Sequence, residues 1–302
     1  IAYHRARAEG GVGLIVSQAS GVHATARYTS KVLMADTDAC IPGFRRLAEA
    51  VHAHGARIVG QLFHPGREIM EGQDGSIPAA YAPSAVPNER FHVMPVPLDK
   101  AMIADIVAGY ANAARRFRAA GLDGCEIVAG HGYLPAQFLN PRVNRREDEY
   151  GGAIENRARF LVEVAGAIRA AVGSDFVVGV RISGEEKDAE AIDTAEVLAV
   201  CRMLDARTGG PDYFSVIAGN SASFAGAVHI VPPMIVANAY VAPMAAAVKA
   251  VVSKPVFVAG RINQPHEAEK IIASGQADMC GMTRAMICDP RMPAKAEAGQ
   301  SD

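Results

Sequence analysis

The sequence lacks an excess of charge of either sign and any long apolar run. Its 302 residues carry 30 Lys and Arg against 32 Asp and Glu, a formal net charge of −2. This near balance gives no reason to expect a nucleic-acid partner or a membrane surface. No apolar run approaches the ~18 residues of a membrane span, and no signal peptide is visible. The expected partner is therefore a small-molecule substrate.

The cysteines also lack the spacing of a metal site. None of them forms a CxxC pair, and an odd number argues against a disulfide framework. The five stand at positions 40, 125, 201, 280 and 288. Reduced thiols predict a cytoplasmic protein, and nothing in these residues offers ligands to an iron–sulfur cluster.

What the sequence does have is a repeated alternation of strand-like and helix-like segments. Apolar runs predict strands at 12–17, 57–63, 125–128, 176–182, 213–217, 255–259 and 278–282. Helical periodicity predicts helices at about 2–9, 42–54, 98–120, 155–172, 188–205, 240–252 and 265–274. Such alternation is typical of a parallel sheet.

This pattern predicts the α/β class and a TIM (β/α)₈ barrel that lacks its first strand at the N-terminus. A (β/α)₈ barrel needs eight strands, but only seven are predicted, and the chain begins at Ile1 within a helix. We therefore expect residues 1–302 to be one barrel domain from a longer protein. A doubly wound open sheet is the alternative, although no GxGxxG fingerprint follows an early strand.

Two long connections follow predicted strands. Residues 64–97 are rich in Pro, Gly and polar residues, and residues 218–239 follow the sixth strand of the expected barrel. Long loops in compact domains are usually functional or disordered. We expect the first to overhang the carboxyl ends of the strands, where barrel enzymes hold their active sites.

Gly and Arg recur at the ends of the last two predicted strands. Gly260 and Arg261 end one, and Gly281, Thr283 and Arg284 end the other. Barrels often build a phosphate site from these two loops, because Gly admits the phosphate to backbone N–H groups and Arg offers a cationic fork. The alternative is that both arginines form surface ion pairs.

His131 and Tyr133 follow the predicted strand 125–128 directly. A phenol can donate a proton, and an imidazole can donate a hydrogen bond to an oxygen that gains negative charge. These are the candidate catalytic residues. The alternative for either is an aromatic side chain that packs beneath the loop.

Several segments resemble the Old Yellow Enzyme family, in particular its branch of 2,4-dienoyl-CoA reductases and trimethylamine-dehydrogenase-like proteins. They are QLFHPGRE (61–68), HGYLPAQFLNPRVNRREDEYGGAIENRARF (131–160), VGVRIS (178–183), VFVAGRI (256–262) and GMTRAMICDP (281–290). They follow the family's order over most of the chain. The charged part of the second segment, from Arg145 to Arg159, is expected to be a structural ion-pair network.

The resemblance implies FMN as cofactor and NAD(P)H as reductant. It implies a cofactor-binding set of Ala19, Gln61, Arg181, Gly260, Arg261, Thr283 and Arg284. Gln61 could instead be a satisfied core amide, and Arg181 could instead pair with Glu126. A [4Fe-4S] cluster and FAD belong only to a longer parent chain, and a homo-oligomer is compatible with the resemblance.

Two positions depart from the family pattern and leave the substrate open. Val128 stands where classical members carry a polar ligand for the substrate carbonyl, and Asn220 or Ser221 stands where the branch uses a histidine. The leading interpretation is reduction of an activated C=C bond with hydride from NAD(P)H through the flavin. The second is an FMN-dependent amine dehydrogenase or N-demethylase, with an aromatic cage drawn from Tyr133, Phe138, Tyr213 and Phe224. A flavin-free phosphosugar isomerase or lyase and a non-catalytic remnant are further alternatives.

Overall fold

The computed structural model describes residues 1–70, 78–188 and 191–300. The strands in these ranges are β1 (Leu14–Gly21), β2 (Leu33–Met34), β3 (Arg57–Phe63), β4 (Tyr81–Ala82), β5 (Val96–Pro97), β6 (Gly124–Ala129), β7 (Val177–Glu185), β8 (Tyr213–Ala218), β9 (Val256–Ala259) and β10 (Met279–Gly281). The α-helices there are α1 (Ala2–Glu9), α2 (Ile41–His52), α3 (Lys100–Ala119), α4 (Leu134–Leu139), α5 (Ile154–Arg157), α6 (Arg159–Val172), α7 (Thr194–Asp205), α8 (Phe224–Ile230), α9 (Ala242–Lys249), α10 (Pro265–Ala273), α11 (Arg284–Cys288) and α12 (Met292–Glu297).

One parallel sheet forms the centre of the fold. Its strand order is β10-β9-β8-β7-β6-β3-β1-β2, and every ladder in it is parallel. The two-residue β2 pairs only with the end of β1, so the longer strands are the seven that the sequence predicts. In the described ranges no ladder joins β10 to β1. The sheet is that of a (β/α)₈ barrel whose seven main strands have three to nine residues, and the predicted fold class is confirmed.

Burial of both faces of the sheet explains why these strands are continuous apolar segments in the sequence. Every residue of β6 and of β8 is buried, as expected for parallel strands whose two faces are both covered. Helix α3 packs one face inward, and its apolar side chains there include Ile103, Ile106 and Phe117. Burial of one such side chain contributes about 1.5–3 kcal/mol.

Helix boundaries depart from the sequence prediction at three places. The predicted helix 155–172 is divided at Ala158 into α5 and α6. The predicted helix 188–205 begins only at Thr194, because the Asp193 side chain accepts the Glu196 N–H and caps it there; residues 189–190 lie outside the described ranges. The 218–239 connection contains α8, which periodicity over seven residues was too short to reveal.

The 64–97 connection contains no α-helix in its described part, and residues 71–77 of it lie outside that part. Two short strands, β4 and β5, pair within it.

All five cysteines are free thiols. Among the described residues no helix is both long and apolar enough to cross a membrane, and no group of His, Cys, Asp and Glu is arranged to hold a metal ion.

Candidate active site

Two cavities lie along the carboxyl ends of the strands. One, of about 650 Å³, is lined by Ala19, Gln61, Val128, His131, Tyr133 and Arg181. The other, of about 450 Å³, is lined by residues 259–263 and 281–285. His131 and Arg181 line both cavities, so the two form one elongated cleft. The structure brings all nine predicted site residues to its walls.

An irregularity in β1 places Ala19 beside Gln61. The register between β1 and β3 shifts after Val16, and Ala19 then faces Gln61 across the ladder. The Gln61 amide donates to Glu126 Oε1 at 2.7 Å, which fixes the orientation of the carboxamide. The satisfied-amide alternative is therefore realised in part, while the side chain still lines the cleft.

Arg181 projects from β7 between the two cavities. Its Nη1 donates to Ser215 Oγ at 3.2 Å and lies 4.0 Å from Glu126 Oε1. The fully buried Glu126 also accepts the Tyr213 hydroxyl at 3.0 Å. A charge taken out of water needs a partner, and this loose pair supplies one. The guanidinium still faces both cavities as a fixed positive charge.

Two backbone hydrogen bonds fix the position of His131. Its N–H donates to Ser183 Oγ at 3.1 Å, and its carbonyl accepts the Ser221 N–H at 3.0 Å. It adopts a φ of 59°, in the left-handed region. Within the described ranges its Nδ1 is buried with no hydrogen-bond partner. Burial, together with Arg181, lowers the pKa of His131 to about 3, so the imidazole is neutral at physiological pH.

Tyr133 directly precedes α4, where two loops interlock. The Gln137 amide donates to the carbonyls of Gly132 at 2.7 Å and Pro65 at 3.0 Å, and it accepts the Arg67 N–H at 3.2 Å. These three hydrogen bonds use both N–H donors of the amide and one of its two acceptor sites, and they join the two loops. Tyr133 is thus fixed by the 64–67 segment as well as by its own helix.

Burial raises the pKa of Tyr133 well above its usual value, and Tyr28 and Glu68 act in the same direction. The phenol therefore keeps its proton throughout the physiological range. Its ring makes edge contacts with Phe63 and Tyr28, at centroid distances of 5.2 and 6.0 Å. No sequence signal pointed to Tyr28, which lies in a stretch without strand or helix periodicity.

The aromatic cage predicted from the sequence is wrong. Phe138 is buried against Phe160 at 4.5 Å, Tyr213 stacks on Phe257 at 4.4 Å, and Phe224 is 76% exposed on α8. Phe138 and Tyr213 are thus buried away from the cleft, and Phe224 faces solvent. None of these three side chains lines either cavity of the cleft. The aromatic neighbours of Tyr133 are instead Tyr28 and Phe63.

Two buried carboxyl groups lie behind the cleft, and sequence analysis assigned no role to either. Glu68 accepts the Ser221 hydroxyl at 2.5 Å and the Asn88 amide at 2.7 Å. Glu186 accepts the Asn140 amide at 2.7 Å. Burial raises the pKa of both groups to about 7. Through Ser221, Glu68 supports the loop that pairs with His131.

The raised pKa of Glu68 predicts a pH dependence of stability. A glutamate near 4.5 when unfolded and near 7 when folded binds its proton more tightly in the native state. Its contribution is therefore complete below pH 4.5 and is lost as the pH rises through 7. Glu68→Gln should flatten this fall in the free energy of unfolding, as measured by urea denaturation at several pH values. The exposed Glu147→Gln should keep the wild-type profile, and a Glu68→Gln profile that also matched wild type would contradict the assignment.

At the other end of the cleft, the backbone of Gly260 packs closely against the Val241 side chain. It adopts a φ of 157°, and a Cβ there would lie 2.3 Å from Val241 Cγ2. A residue with a side chain would clash with Val241 in this backbone conformation, so the position requires glycine. In the described part of the chain neither Arg261 nor Arg284 forms an ion pair; they donate to oxygens of residues 232, 233 and 238. The surface ion-pair alternative is thus not realised, and two uncompensated positive charges border this cavity.

A (β/α)₈ barrel with one elongated, positively charged cleft at the carboxyl ends of its strands defines a barrel enzyme with an anionic cofactor or substrate. The chain belongs to the NADH:flavin oxidoreductase / NADH oxidase family, whose sequence model matches residues 1–302. FMN is the cofactor of this family. The match contradicts the alternative of a flavin-free phosphosugar isomerase or lyase.

Curated relatives are similar over the whole chain. A metal reductase of Desulforamulus reducens is 39% identical over 100% of this chain. An N,N-dimethylglycine/sarcosine dehydrogenase of Chromohalobacter salexigens is 37% identical over 100% of it. A multifunctional alkene reductase/demethylase of Caballeronia cordobensis is 38% identical over 99% of it. The chain spans 44% of the length of each of these relatives.

Solved structures agree with this fold. A 2-naphthoyl-CoA reductase has a TM-score of 0.90 at 30% identity, covering 99% of this chain and 46% of its own. A histamine dehydrogenase from Rhizobium sp. 4-9 has a TM-score of 0.86 at 30% identity, covering 99% and 43%. The chain therefore resembles the barrel portion of larger flavoenzymes.

The cleft fits FMN by the chemistry of its donors. The phosphate requires cations and close backbone approach, which Arg261, Arg284 and Gly260 offer at one end. The flavin ring presents N–H and C=O groups together, and the Gln61 carboxamide at the other end can match both. Arg181 lies between them with its positive charge directed into both cavities.

Arg284→Ala should weaken FMN binding about tenfold or more. Loss of one hydrogen bond between charged groups costs roughly 1.5–3 kcal/mol. Titration of the flavin-free protein with FMN, followed by flavin fluorescence, measures the change. Arg207→Ala offers a control, because that exposed arginine follows the C-terminal end of α7 and lines neither cavity of the cleft. An unchanged FMN affinity in Arg284→Ala would count against this phosphate position.

Proposed function

We propose that this chain is the FMN-binding barrel of an oxidoreductase that reduces an activated C=C bond, such as an enoyl or dienoyl substrate, with hydride from NAD(P)H. The observation that carries the proposal is the pairing of two neutral donors, His131 and Tyr133, on the cavity that Gln61 and Arg181 also line. Residues 1–302 act as one FMN-binding domain in this proposal. The alkene reductase among the relatives supports it.

The roles of the side chains follow from their geometry and charge. FMN, when bound, supplies hydride transfer between the nicotinamide and the substrate. The neutral His131 imidazole donates a hydrogen bond to the substrate carbonyl and stabilises the negative charge that grows on its oxygen. Tyr133, which keeps its proton, donates it to the neighbouring carbon. Arg181 stabilises negative charge in the cleft, and the fixed Gln61 amide orients the cofactor ring.

An N-methylated amine is the second candidate substrate. Val128 is apolar and buried at the strand end, where it offers no ligand to a carbonyl oxygen. The Tyr133 ring, packed edge-on against Tyr28 and Phe63, lines the same cavity as Val128, and an aromatic ring attracts a cationic ammonium group. The dimethylglycine/sarcosine dehydrogenase among the relatives supports this alternative.

Anaerobic photometry of the bound flavin separates the two functions. We expect NADH or NADPH to bleach the flavin, and an α,β-unsaturated thioester or enone to restore its absorbance. Dimethylglycine and sarcosine should leave the oxidised flavin unchanged. Bleaching by the amines, with no reoxidation by any alkene, would establish the alternative. The same preparation on a calibrated sizing column shows whether the chain forms the homo-oligomer that the resemblance allows.

A further inference from the structure

Asn238 lies between an arginine and a carboxylate at the phosphate end of the cleft. Its Oδ1 accepts Arg261 Nε at 2.9 Å and Arg261 Nη2 at 2.5 Å. Its Nδ2 donates to Glu267 Oε1 at 2.6 Å. The amide is therefore held on both sides, with its acceptor turned to the cation and its donor turned to the anion.

Glu267 determines this orientation. Its other oxygen, Oε2, accepts the Asn263 N–H at 3.0 Å in the first turn of α10. Partial burial acts to raise the pKa of Glu267, but hydrogen bonds from Asn263, Asn238 and Gln264 outweigh it and keep the pKa below the ordinary value. An ionised carboxylate can only accept hydrogen bonds. Asn238 must then present its NH₂ group to Glu267 and its oxygen to Arg261.

The backbone connects the same residues. The Ala239 N–H donates to the Arg261 carbonyl at 3.1 Å, and Arg261 Nη1 donates to the Pro233 carbonyl at 2.9 Å. Arg261 and Ala239 both adopt left-handed φ values, 50° and 54°. Non-glycine residues rarely take this conformation, because the side chain crowds the backbone there. The surrounding contacts maintain it at both positions.

We propose that Asn238 is a positioning residue for Arg261, and that Glu267 orients Asn238 in turn, so that the guanidinium is aligned in advance for the phosphate group of FMN. The inference rests on the proposed phosphate position. A guanidinium carries five N–H donors. Three are used by Asn238 and Pro233, so among the residues that the structure describes one donor on each Nη remains for the phosphate.

Two physical effects make this arrangement favour a phosphate. A free arginine side chain loses rotamer entropy when it binds, whereas one already held loses less. The neutral amide also separates the Glu267 carboxylate from Arg261. A carboxylate in direct contact would neutralise the positive charge that the phosphate needs.

The test compares FMN with riboflavin, which lacks the phosphate group. Flavin-free protein is titrated with each, and quenching of flavin fluorescence gives the dissociation constants. Wild-type protein should bind FMN more tightly than riboflavin. Asn238→Ala should weaken FMN about tenfold and leave riboflavin unchanged. Asn238→Asp keeps the size and both acceptor contacts but adds a charge, and it should weaken FMN further than Asn238→Ala.

Asn156→Ala is the matched control. Its side-chain oxygen accepts from Arg159 Nη2 at 3.2 Å, outside the cleft, so both flavins should bind as in wild type. Equal losses for FMN and riboflavin in Asn238→Ala, or wild-type FMN affinity in Asn238→Asp, would overturn the proposal. A wild-type protein without preference for FMN would instead show that the phosphate position is wrong. Circular dichroism of each variant confirms that it is folded before titration.

Discussion

Tyr133→Phe should slow the substrate-reduction half-reaction by roughly 10²–10⁴-fold, the usual contribution of a positioned general acid. The substitution removes only the hydroxyl, so the edge contacts with Phe63 and Tyr28 remain. Flavin reduction by NAD(P)H should change little, because that step takes no proton from the phenol. Anaerobic stopped-flow traces of the two half-reactions measure the asymmetry.

Tyr28→Phe provides the matched control for this experiment. It makes the same chemical change in the neighbouring ring, 6.0 Å from Tyr133, at a phenol with no proposed role in proton transfer. Both half-reactions should remain close to wild type. A loss confined to flavin reduction by an amine in Tyr133→Phe would support the demethylase alternative. Wild-type rates in both half-reactions would remove Tyr133 from the mechanism.

Arg157→Ala should lower the free energy of unfolding by about 3 kcal/mol, at the lower end of the range for a broken buried ion pair. Arg157 is buried, and its guanidinium donates to the carbonyls of Gly152 and Leu139 and to the Glu196 carboxylate. These contacts join three segments of the chain. The lower value is expected because Glu196 is partly exposed and can be solvated again. Urea denaturation measures the change.

Arg159→Ala controls for the loss of an arginine in the same charged segment. Arg159 donates to the Glu149 carbonyl at 2.7 Å, but that contact is exposed. A hydrogen bond contributes roughly 0.5–1.5 kcal/mol net, and this one is exposed, so Arg159→Ala should lose clearly less stability than Arg157→Ala. Equal decreases in the free energy of unfolding of the two variants would mean that the burial of Arg157 does not increase its contribution to stability.

Periodicity in the sequence was sufficient for the sheet and insufficient for the short helices. The strands β6 and β8 were predictable because parallel strands covered on both faces are continuous apolar runs. Helix α8 has seven residues and α4 has six, less than two turns, so neither shows a repeat. The true start of α7 depends on one capping contact at Asp193, which a pattern of apolar residues cannot reveal.

In the candidate site, too, some residues were predictable from the sequence and others were not. Residues at strand ends, such as His131 and Arg261, were predictable because their position on the barrel follows from the strand that precedes them. The partners that orient them come from distant segments: Asn238 stands 23 residues before Arg261, and Ser221 stands 90 residues after His131. Which side of a loop reaches a cleft is decided by tertiary packing. The predicted aromatic cage is wrong for this reason, because residue type does not tell which way Phe138 on α4 and Phe224 on α8 face.

The interlock at Gln137 restricts how this enzyme could be altered by protein engineering. One amide joins Pro65, Arg67 and Gly132, and a Cβ on Gly66 would lie 2.2 Å from its Oε1. Substitutions at position 66 would therefore displace Tyr133 together with the loop. A library that seeks new substrates should therefore leave Gly66 and Gln137 unchanged.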